Sequence, residues 1–92
     1  MEMQEGQIIE MGSVQFLIEE LDVMRKTVKM KIIDGPDALL NTEYELVTPV
    51  KIGRKGENSI SYPDDLHLSN SHAEIFLLEQ SFFIEDRAST NG

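Results

Sequence analysis

Between Ile52 and Gly92, three short stretches carry the side chains that could do chemistry. They are Gly53-Arg54, then Ser69-Asn70-Ser71-His72, then Ser89-Thr90-Asn91-Gly92, each placed where an expected strand gives way to a loop. The chemistry they suit is recognition of a phosphate carried on a peptide. The Arg54 guanidinium presents a fork of N–H donors that matches phosphate oxygens. The Ser69 hydroxyl and nearby main-chain N–H groups can fill the remaining acceptor positions. The Asn91 amide has both a donor and an acceptor, so it can grip a peptide main chain beside the phosphate. Gly53 removes a Cβ at the strand end, where a ligand or another loop must come close. Each hydrogen bond to a charged group contributes roughly 1.5–3 kcal/mol. Two or three of them, with a few main-chain contacts, give an affinity on the order of micromolar.

Taken singly, none of the three is specific. Gly-Arg is common, Ser-x-x-His commonly marks a turn before a strand, and Asn-Gly is a favoured hairpin dipeptide. Their weight comes from order, spacing and position at strand ends. Other chemistry is poorly served. His72 starts an apolar strand and reads as a hydrogen-bonding structural residue. His67 with Asp64 and Asp65 is too small and local a group for a metal. Ser69, His72 and Asp86 could be drawn as a triad, but the chain has no nucleophile elbow and no oxyanion-hole motif. The expectation is a protein that is not an enzyme and uses no cofactor and no metal.

The formal net charge is −9, which repels nucleic acid and anionic membrane at long range. An anionic ligand therefore needs a local basic cluster, and Lys51, Arg54 and Lys55 place three of the eight basic residues together. With 92 residues the chain is one domain at most, and 40% apolar residues suffice for a core. Cysteine is absent, which excludes a disulfide framework and a thiolate metal site and fits a reducing compartment. No run approaches the roughly 18 apolar residues of a membrane span. The acidic start, Met1-Glu2-Met3-Gln4-Glu5, does not resemble a secretory signal. The expected location is inside the cell; cytoplasm, nucleus or cilium is what the family resemblance given below implies.

The elements that must hold these residues read as follows. Residues 1–12 form a flexible acidic start, broken by Gly6 and Gly12. Residues 13–26 predict an amphipathic helix, since Val14, Leu17, Ile18, Leu21 and Met24 recur at helical spacing. Ser13 suits its N-cap, and Arg25 and Lys26 suit its C-terminal end. Phe16 and Val23 fall off that stripe, so an extra strand across Val14–Ile18 is the alternative. The stripe would pack on a neighbouring domain or dock on a partner. From Thr27 the period changes to 2. Val28, Met30 and Ile32 alternate with Lys29 and Lys31, and Tyr44 and Leu46 with Glu43 and Glu45. Asp34-Gly35-Pro36-Asp37 is a turn. Further strands are expected over Val50–Gly53, Ser59–Tyr62, His72–Leu78 and Phe82–Glu85, the rhythm of an all-β sandwich. The His72–Leu78 strand, apolar on both faces, should be central.

From about Thr27 to Gly92 this pattern resembles the forkhead-associated (FHA) domain, of the SMAD/FHA β-sandwich class. The resemblance rests on Val50-Lys51-Ile52-Gly53-Arg54, Asn58-Ser59-Ile60, Asp64, Leu68 to Ile75, Phe83-Ile84-Glu85-Asp86 and Ser89-Thr90-Asn91-Gly92. It implies a reader of phosphothreonine peptides whose partner is a phosphothreonine-containing protein. By resemblance Arg54 and Ser69 bind the phosphate, and Asn91 holds the peptide main chain. Asn70, Thr90 and Lys55 add peptide contacts, as Glu57 could. Gly53 and His72 support the site. Asn70 stands where Arg is common in the family, and Ala88 where Gly is common. An FHA-like module serving only as a scaffold, its phosphate site unused, is the second expectation.

The resemblance also implies several further strands after the Asn-Gly step, mostly in the sheet that holds the Thr27 strand. Even a seven-strand sandwich takes about 100 residues. The expectation is therefore an FHA fold lacking its C-terminal strands, completed by a continuation of the chain or by another chain. Without them an apolar sheet face and unpaired edges would stand exposed.

Overall fold

Eight strands form two four-stranded sheets in the computed structural model, which describes residues 1–56 and 58–86. They are β1 (Ile8–Met11), β2 (Val14–Asp22), β3 (Thr27–Asp34), β4 (Glu43–Val47), β5 (Val50–Gly53), β6 (Ile60–Ser61), β7 (Ala73–Leu78) and β8 (Ser81–Asp86). A single 3-10 turn spans Asp37–Leu39 between β3 and β4. The first sheet runs β1-β2-β3-β4, each strand beside its neighbour in the chain; the second runs β6-β5-β7-β8. The fold is all-β, as its alternating apolar pattern predicts, and β7 is an inner strand. Its inward side chains, among them Phe16, Ile18, Met30, Ile32, Ile52 and Ile75, form one fully buried cluster drawn from both sheets. Burying each such side chain contributes roughly 1.5–3 kcal/mol.

The helix expected over residues 13–26 is a strand. Val14, Phe16 and Ile18 are buried at 1%, 0% and 0% exposure, alternating with half-buried Gln15, Leu17 and Glu19. Val14 and Ile18 fit either period, but Phe16, which spoils the helical stripe, completes the alternation. Tertiary pairing decides the matter. β2 lies antiparallel along β3 from Gln15↔Asp34 to Asp22↔Thr27, with register shifts at Gln15/Phe16 and Ile18/Glu20. Met24, counted in the helical stripe, is 92% exposed in the turn that follows. That turn is held by the Arg25 N–H on Asp22 Oδ1 at 3.1 Å.

The first twelve residues are not a flexible tail either. β1 pairs with β2 from Ile8↔Leu17 to Met11↔Val14, and Met3, Ile9 and Met11 are buried. Before it, Met1–Met3 run along the outer edge of β8. The Ile84 N–H donates to Met1 O at 2.9 Å and the Met3 N–H to Phe82 O at 2.8 Å.

These strands also lie on one side of the Thr27 strand. The Thr27 strand is covered along one edge by β2 and along the other by β4. Its apolar residues Val28, Met30 and Ile32 are completely buried. In this sheet the place beside the Thr27 strand is taken by β2, with β1 at the outer edge. At one end of the sandwich lie the β1–β2 turn, the β3–β4 loop, the β5–β6 loop and the long β6–β7 loop. The sequence-predicted site residues within the described region gather there.

Candidate functional site

At the end of β5, Gly53 stands where nothing larger fits. A Cβ there would collide with the Asn70 carbonyl oxygen and lie 2.8 Å from Asn58 Nδ2. This tight approach lets two loops join just beyond the strand. The His72 N–H donates to Ile52 O at 2.9 Å, the Arg54 N–H to Ser69 O at 3.0 Å, and the Lys55 N–H to Asn70 O at 3.5 Å. Asn58 ties the pair from above, its Nδ2 donating to both Lys55 O and Asn70 O at 2.8 Å. From the other side, the Ser61 hydroxyl donates to Arg54 O at 3.2 Å.

The structure therefore brings Gly53, Arg54, Lys55, Ser69, Asn70 and His72 into one patch. Arg54 is half-buried, and its Nε is closed to solvent with no hydrogen-bond partner among the described residues. A buried donor left unpaired costs about 1–3 kcal/mol, more when charged, which an incoming anion can recover. Beside it, the Ser69 N–H donates to His72 Nδ1 at 3.2 Å. The imidazole nitrogen facing Ser69 is thus an acceptor for the main chain. It does not address the hydroxyl, as a catalytic base would. The Ser69 hydroxyl has no partner among the described residues. Lys55 and Asn70 are exposed on the rim. Thr90 and Asn91, expected to hold the peptide, and Glu57 lie outside the described residues.

Two further ties were not foreseen. Asp65 reaches across to the β1–β2 turn, accepting from the Ser13 N–H at 2.9 Å and the Ser13 hydroxyl at 3.1 Å. It also accepts from the His67 N–H at 3.0 Å. Burial pushes the Asp65 carboxyl up, but these bonds and the nearby His67 charge outweigh it and hold it below its ordinary value. Gly12 makes room for the clasp: its φ is +59°, and a Cβ there would sit 2.6 Å from Asp65 Oδ2. Behind it the Tyr44 and Tyr62 hydroxyls meet at 2.8 Å, joining β4 to the β6–β7 loop. Burial first, then the Tyr44 hydroxyl, raises Tyr62 far above the usual phenol range, so it stays protonated. Ser13 carried a capping signal in the sequence, but nothing local names a partner 52 residues away. Asn58 stood in the sequence within the Asn58-Ser59-Ile60 stretch of the resemblance, with no role attached to it. Among the described residues no group of three or more His, Cys, Asp or Glu could hold a metal ion.

Among the described residues the patch offers a half-buried guanidinium, a hydroxyl without a partner and one exposed lysine. It can bind an anion. The family model of the FHA domain matches residues 50–92, which takes in the whole patch; residues 1–49 lie outside the match. No curated protein and no solved structure matches the chain.

Proposed function

Residues 50–92 belong to the FHA domain family, and on that premise we propose that this protein reads phosphothreonine peptides. Interaction, not catalysis, is the general business of FHA domains. The observation that supports the finer reading is Arg54 Nε, shut away from water and, like the Ser69 hydroxyl, without a partner among the described residues. Nothing in the packing of the loops calls for a charge there. A phosphate of roughly −1.5 to −2 charge supplies the missing acceptors. Arg54 and Ser69 would take its oxygens. Lys55 and Asn70 would flank the peptide, and Thr90 and Asn91 would hold its main chain. Gly53 and His72 keep the loops in register beneath. The partner is a protein phosphorylated on threonine, within the cell, where kinases supply that mark.

The test is binding of a phosphothreonine peptide library and its unphosphorylated twin to the 92-residue chain, followed by amide NMR. Shifts at Arg54 and Ser69 for the phosphorylated pool alone are expected. Arg54→Ala should weaken binding about a hundredfold, the loss of one or two charge-assisted hydrogen bonds. Dispersed spectra that ignore both pools would refute the reader and leave a scaffold.

A further inference from the structure

β1 leaves one edge of the first sheet open. It is the terminal strand there, and no described residue pairs with its outer side. The register with β2 fixes which main-chain groups face outward. Met11↔Val14 closes the two-residue Gly12-Ser13 hairpin and is a hydrogen-bonded pair, and such pairs alternate along an antiparallel ladder. Ile9↔Phe16 is the next, and the Ile18 N–H on Gln7 O at 2.8 Å continues the series. The main-chain groups of Ile9 and Met11 are therefore turned to β2, and the N–H and C=O of Ile8 and Glu10 are turned outward.

Beside that edge lies a cavity of about 310 Å³. Ile9 and Met11 line it from β1, and Met1 and Ile84 line it from the second sheet. Its polar members are His72 and the carboxylates of Glu10 and Asp86; it has no Lys or Arg. The Met1 amine donates to Ile84 O at 3.1 Å, and Glu10 Oε2 accepts from Gln15 Nε2 at 3.2 Å.

An open edge by itself invites any strand; the cavity and the charge narrow the choice. A segment laid along β1 exchanges main-chain hydrogen bonds with Ile8 and Glu10, and every second side chain turns to the core side, over Ile9, Met11 and Ile84. Apolar residues fit there. The alternate side chains share the outer face with exposed Glu10, where a basic residue forms a favourable cross-strand pair. A second copy of this chain, with a formal charge of −9, is repelled.

We propose that the β1 edge docks an extended segment of a partner protein, apolar at alternate positions and basic between them, by strand addition and without a phosphate. The site is separate from the proposed reader patch and does not depend on it, although His72 borders both, its Nδ1 accepting from the Ser69 N–H on the other flank.

The experiment uses the 92-residue chain and three unphosphorylated peptides, read by fluorescence polarisation. One alternates Lys with Val or Ile over seven residues. The second has Pro at the apolar positions, with the same charge but no strand pairing. The third has Glu in place of Lys. The first should bind about tenfold or more tighter than the second, the worth of two to four main-chain hydrogen bonds. It should exceed the third by about fourfold to twentyfold, since an attractive and a repulsive exposed pair each contribute a factor of about two to five. Glu10→Pro removes an outward N–H, keeps the β1–β2 bonds, and should weaken the first peptide about tenfold. Glu45→Pro is the control. It lies at an outward position of β4, the opposite edge, because the Ile32 N–H donates to Thr42 O and the Thr48 N–H to Lys26 O. It should bind as the parent does, and so should Arg54→Ala. Hydrogen exchange of the parent gives a reading that needs no variant: the Ile8 and Glu10 amides should gain protection when the first peptide binds. Equal binding of the first two peptides, parental binding by Glu10→Pro, loss with Glu45→Pro in its place, or unprotected Ile8 and Glu10 amides overturns the docking edge. Protection that grows with protein concentration alone, together with a dimer in sedimentation, assigns the edge to a second copy and overturns the partner.

Discussion

Replacing Gly53 by Ala should break the candidate site without touching a ligand-facing side chain. The added methyl meets the Asn70 carbonyl oxygen and Asn58 Nδ2, the latter at 2.8 Å. Neither can swing away easily. The carbonyl belongs to the main chain, and Asn58 Nδ2 is committed to two acceptors at 2.8 Å each. The β6–β7 loop must draw back, stretching Arg54 N–Ser69 O from 3.0 Å and Lys55 N–Asn70 O from an already long 3.5 Å. Overpacking of this kind costs about 1–3 kcal/mol. Two weakened hydrogen bonds add about 0.5–1.5 kcal/mol each. The sum, about 2–6 kcal/mol, is a large part of the roughly 5–14 kcal/mol expected of a domain this size. With a urea slope of about 1–2 kcal/mol per molar, the midpoint should fall by about 1 M or more. Far-UV circular dichroism across a urea series measures it, and phosphopeptide titration well below the midpoint measures the site. Asn58→Ala is the companion: it removes the two amide bonds, introduces no clash, and should cost about 1–3 kcal/mol. A Gly53→Ala protein with a midpoint within about 0.3 M of the parent and unchanged Arg54 and Ser69 amide shifts would refute the close-approach account.

Phe16→Ala should destabilise by about 3–5 kcal/mol, because the ring is fully buried; a cost below about 1 kcal/mol in the same urea series would mean β2 is not part of the core. Tyr62→Phe should cost about 0.5–1.5 kcal/mol by leaving the Tyr44 hydroxyl without its 2.8 Å partner, read by the same denaturation. Asp65 has its carboxyl pKa lowered on folding, so its clasp stabilises fully above the unfolded value of about 3.9 and is lost as pH falls through the folded one. The stability gap between the parent and Asp65→Asn should therefore be widest near pH 6 and close towards pH 3; a gap independent of pH would exclude the clasp as its source.

From Thr27 onward the strands were legible because apolar and charged residues alternate there without a competing period. Val28, Met30 and Ile32 against Lys29 and Lys31 can be read only as a half-buried strand. Val14 to Met24 was ambiguous because Val14 and Ile18, four apart, satisfy both periods, and only the partner edge on β3 settles which one holds. Met1–Met3 and β1 were invisible for a related reason. A short acidic segment becomes a strand only when an edge is offered to it, and local composition says nothing about that edge. In the site, Gly53, Arg54, Ser69 and His72 announced themselves by type and order. Asn58, the Ser13–Asp65 clasp and the Tyr44–Tyr62 pair did not, since each is defined by a partner remote in the chain or by a carbonyl that has no sequence signature.

The Met1–Met3 segment that bridges to β8 also bears on how the protein reaches this fold. The Met1 amine and carbonyl meet Ile84, a separation of 83 residues. The first sheet needs only neighbouring hairpins and can close early, whereas the second pairs β5 in parallel with β6 and waits for β8 before its outer edge is capped. Contacts this distant raise contact order and slow the search. During synthesis the first residues would leave the ribosome with no edge to dock on until the last described strand emerged. The β1–β4 meander would meanwhile hold its apolar face open, the interval in which a chaperone would have the most to bind.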